Sequence, residues 1–280
     1  MPTESFVDVA GAKTRVLTEG RPDAPVVVLV HDGAWGASAD VTWGALLPLV
    51  AADHFVIAPD MLGFGGTAKV VQLDSSPYEF RTRHIFALLD QLGITRPAHF
   101  VGNSFGGSLV LQATTRPEWA VRMASATSIS GTGGPWRTAK AQAELGHYDG
   151  TEPDMRRLVS VLVDDFAGTH KQVLDRMHWA AQPGHYAAML APHTAVPAVL
   201  RSERPASNYP ADLKGAGVPI LVITGERDDL VEPGWTANLT EIEPAIQTAL
   251  LPTMHSPNIS HAALTWAELE PFLDNSGTTS

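Results

Sequence analysis

Residues 98–114, AHFVGNSFGGSLVLQAT, decide how this chain is read. The first four, AHFV, are an apolar run of strand character. The last ten, FGGSLVLQAT, are small and apolar and read as a helix. Between them Gly102-Asn103-Ser104-Phe105-Gly106 fits G-x-S-x-G. On so tight a strand-to-helix turn the serine must take a strained backbone, which lifts its hydroxyl clear of the sheet. Glycine two residues to either side keeps neighbouring backbone out of the way, and Gly107 lets the helix sit close. The plain alternative is an ordinary turn that contains a serine. The flanking strand and helix favour a nucleophile at Ser104.

Strands and helices alternate outward from this turn. Residues 6–9 and 15–18 read as short strands. Residues 25–30 (PVVVLV) form a continuous β-branched run, the mark of a strand buried on both faces. Residues 43–51 have helical spacing, and 54–58 (HFVIA) return to strand. In residues 78–92, Ile85, Leu88, Leu89 and Leu92 fall at i, i+3, i+4 and i+7, which predicts an amphipathic helix. Further strands are expected at 123–129, 219–224 and 247–251, and a closing helix at 261–273. This rhythm predicts a mostly parallel sheet with helices on both faces. Residues 131–211 break it. They are helical in pattern, interrupted by Pro153, Pro183, Pro192, Pro197 and Pro205, and are expected to pack over one edge of the sheet. The domains are therefore a core of 1–130 plus 212–274, a helical insertion at 131–211 and a flexible tail at 275–280.

Composition narrows the function. At roughly 150 residues per domain, 280 residues make about two units, or one large α/β unit with an insertion. Apolar residues are 44% and charged residues 18%, which argues against disorder. Nineteen basic against thirty acidic residues leave a net charge of −11. That argues against nucleic acid and against anionic membrane surfaces. There is no cysteine, hence no disulfide or thiolate chemistry. The start, MPTES, has no basic segment ahead of an apolar run, so no secretory signal is expected and the default location is cytoplasmic. None of the eleven histidines makes H-x-H, H-x-x-x-H or H-E-x-x-H, and residues 59–66 (PDMLGFGG) lack a phosphate-binding fingerprint. Neither a metal nor another cofactor is expected. The expected partner is a small-molecule substrate, with a homodimer as the plausible assembly.

A serine needs a base, and the base needs an orienting acid. Beyond PILVIT comes Gly225-Glu226-Arg227-Asp228-Asp229-Leu230-Val231-Glu232-Pro233. Asp228 and Asp229 both qualify by position; the pattern G-x-x-D-x-x-V-x-P selects Asp228. His255 sits four residues past the apolar end of the last strand (TALLPTMH), the place for the base, with His261 as rival. The loop His31-Asp32-Gly33-Ala34-Trp35-Gly36 follows VVVLV. Its Gly33 or Ala34 amide, with that of Phe105, would form an oxyanion hole. His31 is read as a buttress of that loop. In the insertion Trp136, Met155, Met177, Trp179, Met189 and Leu190 are apolar enough to line a pocket or to form the insertion's own core. The acidic pair Asp164-Asp165 is read as solvated.

With these residues in place the chain resembles the α/β-hydrolase superfamily, and within it the meta-cleavage-product hydrolases. These enzymes cleave a carbon–carbon bond in ring-fission products of aromatic catabolism. The similar stretches are 31–50 (HDGAWGASADVTWGALLPLV), 54–67 (HFVIAPDMLGFGGT), 101–114, 155–165 (MRRLVSVLVDD) and 255–262 (HSPNISHA). The resemblance implies an α/β-hydrolase fold with an eight-stranded sheet and a helical cap, and a Ser104-His255-Asp228 triad. It places Asn103 beside the substrate and gives Arg176 the substrate's acid end. Asp32, Trp136 and Trp179 complete the expected substrate contacts. Three positions depart from the family: Asp32 replaces a glycine, Thr42 an asparagine and Ser256 a tryptophan. They point to an ester, lactone or amide as the rival substrate. A non-hydrolytic use of the fold, for ligand binding or cyclisation, is the rival from another class.

Overall fold

The computed structural model describes residues 1–193 and 207–276. Eight strands form one sheet: β1 (Thr3–Val9), β2 (Ala12–Glu19), β3 (Val26–Val30), β4 (Phe55–Pro59), β5 (Ala98–Asn103), β6 (Met123–Ile129), β7 (Ile220–Gly225) and β8 (Gln247–Leu251). Their order is β1-β2-β4-β3-β5-β6-β7-β8. β1 and β2, and β2 and β4, pair antiparallel; β4, β3, β5, β6, β7 and β8 run parallel.

The β-branched run of β3 lies at the centre for a physical reason. Val26, Val28 and Val30 point to one face and Val27 and Leu29 to the other, and all five are fully buried. On the first face, Val28 and Phe100 pack with Ile85 and Leu88 of the helix Glu79–Gln91, Leu109 of Phe105–Thr114 and Leu239 of Trp235–Ile242. On the second, Val27, Leu29 and Val101 pack with Trp43, Leu47, Leu269 and Leu273. The predicted helix at 43–51 is instead two short ones, Ala39–Trp43 and Leu47–Val50. Ser38 caps the first by accepting from the Val41 amide, so the start lies earlier than the apolar spacing suggested. The closing helix spans Ala262–Ser276, so the tail expected from 275 is helical through Ser276.

Between β6 and β7 the described residues hold the helices Ala139–Leu145, Glu152–Leu162, Thr169–Ala180 and His185–Leu190, and no strand. Thr138 and Thr151 cap the first two. Met155, Leu158, Leu162 and Val173 form a separate apolar cluster, which Trp35, Leu230 and Ile259 of the sheet domain's rim complete. That shared cluster seats the insertion on the C-terminal ends of the strands. Pro197, Pro205 and residues 277–280 lie outside the described residues.

Candidate active site

The turn from β5 into Phe105–Thr114 places Ser104 at φ 54° and ψ −112°. That is left-handed backbone, unfavourable for a residue with a side chain. The turn closes because Gly102 and Gly106 carry none. A Cβ on Gly102 would lie 2.2 Å from the Gly106 carbonyl oxygen, and one on Gly106 would lie 2.2 Å from that of Val30.

Two loops at the ends of parallel strands meet this turn. His255, just past β8, brings Nε2 to 2.8 Å from Ser104 Oγ. Its Nδ1 lies 2.7 Å from Asp228 Oδ2, just past β7. Both side chains are almost wholly shielded from water. With Asp228 ionised, Nδ1 carries the proton and Nε2 is left to accept from the serine hydroxyl. The other Asp228 oxygen accepts from the Leu230 amide at 3.0 Å. Of the two aspartates open by position, Asp229 lies at the surface against Lys140 Nζ at 2.6 Å. His261 meets Ser260 and, at 3.6 Å, Asp164.

The loop after β3 separates the two oxyanion expectations. The Ala34 amide donates to Asp32 Oδ1 at 2.8 Å and so is taken; Ala34 as an oxyanion donor is corrected. Among the described residues no hydrogen bond engages the amides of Gly33 and Phe105, and both residues line the cavity with Ser104. His31 is a buttress: Nδ1 faces the Asp32 carbonyl oxygen at 2.6 Å, and Nε2 accepts from the Met61 amide at 2.9 Å. Burial lowers its pKa and keeps it neutral.

The cavity above Ser104 holds about 300 Å³. Phe64, Tyr78, Arg81 and Phe105 line it, together with Leu145 and Met189 of the insertion. Five expected substrate contacts are not in its wall. Arg176 is buried and grips Asp32, with Nη2–Oδ2 at 2.9 Å and Nη1–Oδ1 at 3.2 Å. Thr42 Oγ1 donates to the same carboxylate at 2.6 Å. Burial would raise the Asp32 pKa, but the guanidinium and these donors hold it down to about 2. Arg176 and Asp32 therefore satisfy each other, and neither lines the cavity. Two departures from the family pattern, Asp32 and Thr42, thus belong to one cluster. Asn103 is fully buried; it donates to the Ile129 carbonyl oxygen and accepts from Ser256 Oγ at 3.1 Å, tying the neighbours of Ser104 and His255 together. Trp136 packs against Trp235, and Trp179 covers the Arg15 guanidinium. Of the six apolar residues singled out in the insertion, Met189 alone lines the cavity.

Of the acidic pair expected to be solvated, Asp165 is exposed, whereas Asp164 is half-buried and bonded. Its Oδ2 accepts from the Met254 amide at 2.9 Å and its Oδ1 from Arg227. Two residues earlier, the Leu162 carbonyl oxygen accepts from the Ser256 amide at 2.8 Å. Both neighbours of His255, and the neighbour of Asp228, are thus held by residues 162–164 of the insertion. No sequence pattern signals this, because the contact joins positions about ninety residues apart. Asp164→Ala is expected to lower kcat by about 10- to 100-fold, as misplaced catalytic groups do, with KM nearly unchanged. Asp164→Asn, which keeps an acceptor for Met254, should recover part of the loss. Steady-state kinetics on both variants checks this, and an unaltered kcat in Asp164→Ala contradicts it.

Sheet order, strained serine turn and converging loops define an α/β-hydrolase architecture. The chain belongs to the alpha/beta hydrolase family, whose model matches residues 27–268. It is 29% identical over 238 residues to the 2-hydroxy-6-oxo-6-(2'-aminophenyl)hexa-2,4-dienoic acid hydrolase of Metapseudomonas resinovorans, covering 84% of this chain and 77% of that protein. It is 29% identical to the 2-hydroxymuconate semialdehyde hydrolase of Pseudomonas putida, covering 94% and 92%. Among solved structures, the 2-hydroxy-6-oxo-6-phenylhexa-2,4-dienoate hydrolase of Rhodococcus sp. strain RHA1 superposes with a TM-score of 0.82 at 24% identity, covering 98% and 99%. Among the described residues no helix is long and apolar enough to cross a membrane, and no cluster of three His, Asp or Glu could hold a metal.

Proposed function

We propose that this protein is a serine-dependent hydrolase of a small, partly apolar carbonyl compound. One observation carries the reading: the hydrogen-bonded chain from Asp228 through His255 to Ser104 ends in the floor of the cavity. Ser104 Oγ attacks the carbonyl carbon as His255 Nε2 takes its proton. Asp228 fixes the tautomer and stabilises the imidazolium. The Gly33 and Phe105 amides receive the oxyanion, worth several kcal/mol in a dry site. His255 then returns the proton to the leaving group. Water, activated by the same imidazole, releases the acyl group from Ser104. The described helices within residues 131–211 act as a cap that excludes bulk water.

The bond cleaved has two readings. The relatives named above favour a carbon–carbon bond in a vinylogous diketone. The Asp32–Arg176 pair favours an ester, lactone or amide, because the arginine that the resemblance assigns to a substrate's acid end already holds an internal carboxylate. Assaying a ring-fission dienol ketone beside a short-chain nitrophenyl ester separates them. Cleavage of the dienol ketone at a rate above the ester supports the first reading. Ester cleavage alone supports the second. Turnover of neither, across a panel that includes lactones and amides, contradicts the hydrolase reading.

A further inference from the structure

Arg81 is a buried cation with no counter-ion among the described residues. It projects from the helix Glu79–Gln91 and is 4% exposed. Its Nε donates to the Leu62 carbonyl oxygen at 2.9 Å and its Nη1 to that of Pro77 at 2.9 Å. Its guanidinium lies 4.4 Å from the Phe80 ring centroid, 5.3 Å from that of Phe105 and 5.4 Å from that of Phe64. Among the described residues no carboxylate pairs with it, whereas the other deeply buried arginines, Arg15 and Arg176, each hold at least one aspartate. Burial without compensation lowers its pKa to about 10, so it stays charged at neutral pH. Nη2 has no partner among the described residues and is not sealed within the protein, and Arg81 lines the cavity above Ser104. The cavity's described wall contains two arginines, Arg81 and Arg137, and no acidic side chain. In a chain of net charge −11 that is a local reversal of sign.

An uncompensated buried charge is expensive unless something arrives to pair with it. We propose that Arg81 is an anion subsite, and that the substrate carries a carboxylate which Nη2 takes up across the Phe105 ring from the reacting carbonyl. Phe105 follows Ser104 and supplies one oxyanion amide, so its ring sets the spacing between the two ends of the ligand. Two free N–H donors on Nη2 suit a carboxylate. This deepens the hydrolase reading and rests on it for the chemistry at Ser104, but the binding of an anion at Arg81 does not.

The test is binding of a matched pair, 4-phenylbutyrate and its amide, by titration calorimetry. Wild-type protein is expected to bind the carboxylate at least about tenfold more tightly than the amide, as a charge-assisted hydrogen bond provides. Arg81→Gln should lose that preference while binding the amide as before, and Arg81→Lys should restore part of it. Arg137→Gln, at the exposed part of the wall, should keep it. Equal affinities in wild type, or a preference that survives Arg81→Gln or is lost in Arg137→Gln, overturns the proposal. Should Arg81→Gln fail to fold, the Arg81 Nε resonance of wild-type protein carries the test. It should shift with the carboxylate and not with the amide, and no shift overturns the subsite. Fluorophosphonate labelling of Ser104 reads the nucleophile separately, so failure of one assignment is distinguishable from failure of the other.

Discussion

Ser104→Ala is expected to lower turnover by about 10⁴-fold or more while leaving ligand affinity nearly unchanged. The size follows from the role: removing a nucleophile that works as a unit with its base removes most of the catalysis, leaving only what oxyanion donors and positioning supply. The unchanged affinity follows from the geometry. Ser104 is one of many residues in a cavity of about 300 Å³, and its hydroxyl is already paired with His255. Single-turnover kinetics and calorimetry on the same preparation check both halves. A variant that keeps the full rate removes the nucleophile assignment.

The second large effect is on stability. Asp32 and Arg176 are both about 1% exposed and make two hydrogen bonds to each other. Arg176→Met leaves a carboxylate buried without its cation and is expected to cost about 3–5 kcal/mol. Asp32→Asn leaves the reverse defect and should also destabilise strongly. The double variant should cost much less than the sum, because neither charge is then stranded. Denaturant unfolding of the four proteins measures this, and additive losses contradict it. The pH dependence has a definite sign. The Asp32 pKa is lowered in the folded chain from 3.8 to about 2. Its contribution is therefore complete above about pH 4 and falls away as the pH drops toward 2. Arg176→Met should flatten the stability profile in that window. The pair also reaches the site: freed of Asp32, the Ala34 amide becomes a competing donor beside Gly33.

What was legible in the sequence follows from where the physics is local. The run VVVLV needs both faces buried, so it reads as a central strand and is one. Gly102 and Gly106 signal the serine turn because any side chain there collides with backbone. Asp228 and His255 were readable because each follows a strand whose end must face the same rim as Ser104. The cavity wall was not legible. The resemblance singles out Arg176, yet its carboxylate partner sits 144 positions earlier, and a distant pairing leaves no periodicity. Trp136 and Trp179 looked like pocket residues by type alone; indoles serve equally well against Trp235 and Arg15. Arg81 lies in a helix whose apolar face was recognised at Ile85, Leu88 and Leu89. Its burial comes from Phe64, Phe80 and Phe105, two of which belong to other parts of the chain. Asp164 read as solvated for the same reason: acidic residues are usually exposed, and only the fold reveals the amide it accepts from.

The most direct measurement is intact-mass analysis with peptide mapping after treatment with a fluorophosphonate probe. A single adduct is expected on Ser104 in the native protein, absent from Ser104→Ala and greatly slowed in His255→Ala. A folded protein that takes no adduct, or takes it on another serine, would contradict the convergence of Asp228, His255 and Ser104 on one reacting centre.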